Sequence, residues 1–396
     1  MIPLPARTLF SARNLPYGVF SRVGTSGRTI GVALGDQIID CRKLAEQGRL
    51  PAMLKEQALN PFMVAGRAVW KEVREKIESI LTSGDLPLVP QAEVTMHLPC
   101  EVGDFTDFFA SKQHASRGHV SSLYPNWLHL PVGYHSRASS VVVSGTPIRR
   151  PKGQIFEDGL LSFGASRRVD YELEVGCFVG GPPTALGQTL SMAEAEDRLF
   201  GLVLLNDWSA RDIQAWEMPP LGPFLGKSFG TTISPWIVPM EALAPFKVPL
   251  EPDPDRPAEV FEYLRNGGRP LTTFDMNLEV GIRPAGGELS VVGKSNLNCI
   301  YWSLAQLLCH QASNGSVIRA GDLLGTGTLS GNFGTESWGC LKERNFNGRQ
   351  KISLKHGDTR MWVEDGDTVV MRGWCDDGGG ELVGFGDCAG TLLPAT

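Results

Sequence analysis

The chain has 396 residues, a mass of 43.0 kDa, a formal charge of −6 and a pI near 5.7. That length allows two domains, or one large one with a sizeable core, and an acidic balance without a basic stripe argues against a nucleic-acid surface. Forty-six glycines and 27 prolines exceed ordinary globular usage but stop short of the disordered range, which favours a turn-rich, mainly β protein with some α+β character. The eight cysteines, Cys41, Cys100, Cys177, Cys299, Cys309, Cys340, Cys375 and Cys388, are scattered without a CxxC pair. They read as free thiols of a reducing compartment, not as a disulfide framework or a thiolate zinc site.

The N-terminal stretch MIPLPARTLFSARNLPYGVF has no long apolar region after a basic start, and the longest apolar run is Leu202 to Leu205. A cytoplasmic protein without a membrane span is expected. Residues 17–40 predict three short strands joined by glycine-containing turns. Asn60 to Ser83 predicts a helix, with Met63, Val64, Val69, Trp70, Val73, Ile77 and Ile80 at three- and four-residue spacing. An N-terminal unit should end near residue 97.

Beyond His97 the pattern turns to strands, expected at Ser139–Ser144, Tyr171–Val179, Gly201–Leu205, Phe274–Ile282 and Thr368–Met371. Helices are a minority there, expected at Met192–Leu199, Ser209–Glu217 and Trp302–Ser313. Residues 251–257 read as a surface loop and Asp376–Glu381 as a hairpin turn.

Several stretches carry polar groups that a plain core does not need. DFTDFFASKQHASRGH (104–119) sets aspartates and histidines among aromatics. On a strand, Glu172 and Glu174 share one face while Leu173 and Val175 take the other. Two adjacent carboxylates need a cation unless they are simply solvated. Asp207 closes an apolar strand, and at helical spacing Asp207, Arg211, Gln214 and Met218 would share a face; the bland alternative is an N-cap with a surface ion pair.

The loop PLGPFLGKSFGTT (220–232) holds one lysine, Lys227, and lacks phosphate-loop spacing. Lys227 could neutralise an oxyanion or a carboxylate cluster, or merely snorkel. The turn GTGTLSG (325–331) offers hydroxyls and backbone N–H groups. The histidines show no HxH or HExxH spacing, so zinc is not expected. Oxygen ligands without clustered His or Cys point to a hard cation, Mg²⁺ or Ca²⁺, with Asp107, Glu172, Glu174 and Asp207 as the candidate set.

Longer strings then carry a resemblance. PNWLHLPVGYHSRASS (125–140), SGTPIRRP (144–151), NDWSARDIQAWE (206–217) and LGPFLGKSFGTTISPW (221–236) resemble the fumarylacetoacetase, or fumarylacetoacetate hydrolase, family, and the similarity runs from NLPYGVF (14–20) to GFGDCAG (384–390). The resemblance implies an SH3-like β-barrel domain over 1–97, a mixed β-roll catalytic domain over 98–396, and a homodimer. It implies that Mg²⁺ or Ca²⁺ is held by Asp107, Glu172, Glu174 and Asp207, with Lys227, Gly230 and Thr231 beside it. The general base falls on His114 and its orienting carboxylate on Glu343. Arg211, Gln214, Lys227 and Thr328 match active-site positions, and Tyr134 lines the pocket. The implied reaction is hydrolytic C–C cleavage of a 1,3-diketone, with His114 taking a proton from water and Lys227 and Gln214 stabilising the oxyanion.

The pattern is broken at the substrate. Phe109 and Met218 stand where the family has tyrosines, and the segment between His114 and Pro125 is about six residues short of the family pattern. A substrate-contacting arginine has no clear counterpart there, Arg117 being the nearest substitute. The expected substrate is therefore fumarylacetoacetate or a related β-dicarbonyl that is less acidic or more apolar. Two other readings stand beside hydrolysis: non-hydrolytic chemistry on a β-dicarbonyl, such as decarboxylation, dehydration, tautomerisation or condensation, and a binding protein with a dead site.

Overall fold

The computed structural model describes residues 8–118, 123–257 and 260–396. Three antiparallel or mixed sheets dominate. The first has the strand order Leu88–Pro90, Gln37–Asp40, Thr29–Leu34, Tyr17–Arg22, Val94–His97, all antiparallel. The expected helix over 60–83 is two helices, Asn60–Val64 and Arg67–Ser83, because the chain turns at Gly66 with φ of +85°. Met63, Trp70, Val73 and Ile77 face inward as their spacing predicts, whereas Val64 is exposed.

An eight-stranded mixed sheet forms the centre of the molecule. Its main path runs Gly133–His135, Phe105–Phe108, Leu323–Gly325, Leu173–Val179, Leu199–Asp207, Thr231–Ile233, Val141–Val143, with Val238–Pro239 paired to Leu199–Asp207. A six-stranded sheet packs nearby, built around Asn277–Arg283, Thr368–Asp376 and Cys388–Leu393. The strand expected at 274–282 divides into Thr272–Phe274 and Asn277–Arg283, and the turn at 376–381 does join two antiparallel strands.

The period-two rule organises the central sheet. Leu173, Val175, Cys177, Leu202 and Leu204 enter the larger apolar core on one face. Phe105, Phe178, Val203, Leu205 and Leu323 enter a second core on the other, shared with Val19, Val32, Phe62, Trp70, Val73 and Ile77 of the N-terminal segment. Along that second face, two residues further on, lie Asp107, Gly325, Gly176 and Asp207, with Glu174 two beyond Gly176. The same strands thus carry an apolar end beneath the N-terminal segment and an acidic end beyond it.

A two-stranded ribbon, Lys152–Glu157 with Leu160–Ala165, stands apart from the three sheets. Its turn places Asp158 and Gly159 at positive φ, as an Asp-Gly hairpin requires. All eight cysteines are free, seven of them buried. Among the described residues no helix is long and apolar enough to cross a membrane.

Candidate active site

Three strands deliver four carboxylates to one point: Phe105–Phe108 carries Asp107, Leu173–Val179 carries Glu174 with Glu172 just before it, and Leu199–Asp207 ends on Asp207. Asp107, Glu172, Glu174 and Asp207 are all buried, and each offers an oxygen within 4.8 Å of the others. Gly325 makes the approach possible: a Cβ there would stand 2.6 Å from Asp107 Oδ1 and 3.1 Å from Glu174 Oε2. The N–H of Gly327 donates to Glu174 Oε2 at 3.1 Å.

Like charges packed out of water are costly unless neutralised. Lys227 Nζ donates to Glu172 Oε2 at 2.5 Å and to Asp207 Oδ2 at 2.6 Å, and Arg211 Nη1 lies 2.7 Å from Glu172 Oε1. Burial would raise Glu172, but Lys227 and Arg211 together hold its carboxyl well below the usual range. Asp107 and Glu174 have no such partners: burial first, then the neighbouring acids, push both well above it. Asp107 Oδ1 and Glu174 Oε1 are buried without a hydrogen bond. Tyr134 donates its hydroxyl to Asp207 Oδ2 at 2.9 Å, and Thr231 donates to Asp207 Oδ1 at 3.2 Å. Orphaned carboxylate oxygens converging at this spacing are what a hard divalent cation satisfies. Asp207 and Glu172 raise the Lys227 ammonium against the effect of burial, so it stays protonated, has no lone pair to offer, and acts as a counter-charge beside the cluster.

His114 lies on the helix Lys112–Gly118. The hydroxyl of Ser111 donates to Ser330 O at 3.1 Å, pinning the start of that helix to the turn at 325–331. His114 Nδ1 is 2.9 Å from Glu343 Oε2. Glu343 comes from the short helix Leu341–Arg344, and the Ser330 hydroxyl donates to the same Oε2 at 2.6 Å. Burial would raise the Glu343 carboxyl, but the His114 ring and the Ser330 hydroxyl hold it below its ordinary value. With Nδ1–H given to a carboxylate, the neutral ring keeps its lone pair on Nε2. Phe109 meets the His114 ring edge-on, centroids 5.2 Å apart.

The remaining expected residues are placed as follows. Gln214 is buried and accepts from Arg211 Nη1 at 3.2 Å. Thr328 is buried with its hydroxyl unpartnered. Met218 is half-buried at the C-terminal end of the helix Arg211–Glu217. Gly230 packs where a Cβ would meet Ile148.

The shared helical face of Asp207, Arg211, Gln214 and Met218 is corrected: Asp207 ends a strand, the helix starts at Arg211, and its N-cap is Ala210 with no side-chain bond. Ser209–Ala210 pair with Val169–Asp170 in a bridge that a helical reading overlooks. Arg211 accordingly pairs with Glu172 and with Asp170 (Nε to Oδ2, 2.9 Å), not with Asp207.

Arg117 stacks over Trp338 at 4.6 Å, donates to Gly331 O and Gln113 Oε1, and lies 3.8 Å from Glu343 Oε1. In the run 116–124 that departs from the family pattern, residues 119–122 lie outside those described. Two groups at the site carry no sequence expectation, Asp170 and Ser330. Ser330 sits in a turn noted for its hydroxyls, whereas Asp170 precedes the Glu172–Glu174 pattern with no spacing signal of its own.

A cluster of oxygen donors beside a histidine–carboxylate pair, within a mixed β fold, brings together the groups that a cation site with acid–base chemistry requires. Family models for the fumarylacetoacetase N-terminal region and the fumarylacetoacetate hydrolase C-terminal region match residues 13–99 and 105–392. The chain is 46% identical over 420 aligned residues to a fumarylacetoacetase of Rattus norvegicus, covering 100% of this chain and 98% of that protein. It is 43% identical to one of Arabidopsis thaliana over 416 residues, covering 98% and 96%. The chain therefore belongs to the fumarylacetoacetase family, and it is an enzyme of the class that hydrolyses carbon–carbon bonds. Among solved structures, a fumarylacetoacetate hydrolase from Exiguobacterium antarcticum superposes with a TM-score of 0.57 at 18% identity, covering 96% of this chain and 99% of that one. A maleylpyruvate hydrolase of Sphingobium in complex with manganese(II) and pyruvate gives 0.54 at 15%, covering 96% and 100%. At these identities the likeness is one of fold.

Proposed function

We propose that the protein hydrolyses a carbon–carbon bond of a 1,3-diketone, fumarylacetoacetate or a less acidic relative. The observation that carries the reading is the His114 Nδ1–Glu343 Oε2 contact of 2.9 Å, in a chain 46% identical to a fumarylacetoacetase from end to end. Glu343 fixes the tautomer that leaves His114 Nε2 free to take a proton from water. The hydroxide adds to the carbonyl, the C–C bond breaks, and the proton held on His114 is available to the departing carbon. Gln214 and the Lys227 ammonium are read as the donors to a developing oxyanion. Mg²⁺ or Ca²⁺ held by Asp107, Glu172, Glu174 and Asp207, with Thr231 and Lys227 beside it, would supply Lewis acidity to the enolised dicarbonyl. Phe109, Met218, Tyr134 and Thr328 are read as pocket walls; the first two bring no hydroxyl. A base-like pair has no role in simple binding, and non-hydrolytic chemistry has no observation in its favour.

The test is to incubate Mg²⁺-loaded protein with fumarylacetoacetate and with a neutral β-diketone, following loss of the enol chromophore. Cleavage of at least one into two products is expected, with the ratio of the two kcat/KM values reporting how acidic a substrate the pocket accepts. Loss of the enol without two cleavage products would overturn hydrolysis.

The N-terminal sheet is read as an SH3-like barrel domain over 1–97 and the remainder as a β-roll catalytic domain over 98–396, in a cytoplasmic homodimer. The ribbon at 152–165 supports the dimer. Its outward face carries Phe156 (49% exposed), Leu161 and Phe163 (74%), and Trp216 (41%) stacks on Phe156 at 4.8 Å. Leu221, Phe224 (65%) and Leu225 follow the same helix. At roughly 150–250 Å² per aromatic side chain, the four rings alone leave several hundred Å² bare. With the leucines that approaches the ~800 Å² per partner of a stable interface, above the largest patch of an ordinary monomer. The nearby Arg167 and Arg168 are already paired with Glu157, so the surface suits an apolar, self-matching partner: a second copy of this chain.

A further inference from the structure

Asp170 belongs neither to the carboxylate cluster nor to the His114–Glu343 pair, yet it touches the supports of both. It is fully buried, 0% exposed, in the bridge Val169–Asp170 with Ser209–Ala210. Its Oδ2 accepts from Arg211 Nε at 2.9 Å, and Arg211 Nη1 reaches Glu172 Oε1 at 2.7 Å. On its other side, Oδ1 accepts the N–H of Leu341 at 2.8 Å, and Oδ2 that of Lys342 at 3.0 Å.

Those two N–H groups open the helix Leu341–Arg344, whose third residue is Glu343. That helix has four residues, and its N-cap, Cys340, makes no side-chain cap bond. So short a helix cannot hold its own shape in isolation, and its first donors need an outside acceptor. Asp170 is that acceptor. A carboxylate present only to balance Arg211 would have no need to face the backbone of a helix 171 residues further along the chain.

We propose that Asp170 is a positioning residue for the hydrolysis, a buried carboxylate whose effect on the reaction runs through Glu343, fixed by the first turn of its helix, while Arg211 ties the same carboxylate to Glu172. The inference rests on the His114–Glu343 reading above. Asp170→Asn keeps the shape, but the carboxamide loses its charge and turns an NH₂ toward Arg211 or toward the helix donors. By analogy with outer-shell partners of metal ligands, kcat should fall about 10- to 100-fold with KM changed less than about threefold, the signature of a lost transition-state interaction. Restoring the charge with Asp170→Glu should recover part of that loss. If Asp170 acts through Glu343, adding Asp170→Asn to Glu343→Gln should cost no more than about threefold beyond Glu343→Gln alone, because contacts in one network do not add.

Multiplying losses in the double variant, or a lower melting temperature with kcat unchanged, would overturn the proposal. An unchanged rate in Glu343→Gln alone would overturn it together with the dyad reading, which separates the two failures. Should Asp170→Asn not fold, hydrogen exchange on the wild-type holoenzyme decides: the Leu341 and Lys342 amides should be protected like those of the central sheet, and loop-like exchange there would overturn the proposal.

Discussion

The two ends of one sheet face do opposite work. At the apolar end, Phe105, Phe178, Val203 and Leu323 lie against the N-terminal segment and gain stability from leaving water. Two to four residues along the same strands, Asp107, Glu174 and Asp207 are equally buried but lose stability by it: burial is the largest influence on each, and it raises every one of them. Strand geometry, hydrogen-bonded register and depth are shared, so the difference is chemical. Stability and function are therefore separable along this face, and the acidic end is a local cost offset by the rest of the fold.

That separation can be broken by substitution. The largest effect is expected for His114→Ala, a loss of about 10²–10⁴ in kcat with little change in melting temperature, measured by steady-state cleavage and calorimetry. Chelation should likewise abolish cleavage, and added Mg²⁺ or Ca²⁺ should restore it; full activity in exhaustively chelated protein would remove the cation from the reading. Glu174→Gln should abolish cation binding, as titration calorimetry reads it, while raising the melting temperature of the metal-free protein by relieving charge repulsion. A lower melting temperature would mean that the acids are not in conflict there.

At the apolar end the sign reverses. Phe178→Ala should cost about 3–5 kcal/mol in denaturant unfolding and leave kcat of the folded fraction within a few-fold. Away from both ends, Phe163→Glu on the ribbon should shift light-scattering mass from dimer to monomer, whereas Val291→Glu on another exposed strand should not. The smallest effect concerns Asp322, which burial raises from 3.8 to about 6. Its folded form holds a proton that the unfolded chain releases, so stability should fall as pH rises through that window, and Asp322→Asn should flatten the slope.

Much of this was legible in the residues. Alternation in Glu172–Leu173–Glu174–Val175 put two acids on one face, and the absence of paired histidines pointed to oxygen ligands. Where period and location agreed, as for Trp70, Val73 and Ile77, the helix formed and buried the expected stripe. Periodicity misleads at Asp207, because the bridge between Ser209–Ala210 and Val169–Asp170 follows the strand and starts the helix at Arg211, two residues after the expected Ser209. That pairing links distant segments, and no local spacing encodes it. The ribbon at 152–165 has no counterpart among the sequence expectations, although its Asp158–Gly159 turn is a strong hairpin signal. Asp170 was invisible for a different reason: its partners lie 41 and 171 residues away, so only tertiary structure reveals them.

The reading of hydrolysis by a His114–Glu343 pair is tested most directly by turnover of fumarylacetoacetate in H₂¹⁸O, with the products resolved by mass spectrometry. One ¹⁸O should enter the new carboxylate of the fumaryl product in the wild-type protein, with formation of that labelled product lost in His114→Ala. Cleavage products without the label, or labelled product formed at the wild-type rate by His114→Ala, would contradict it.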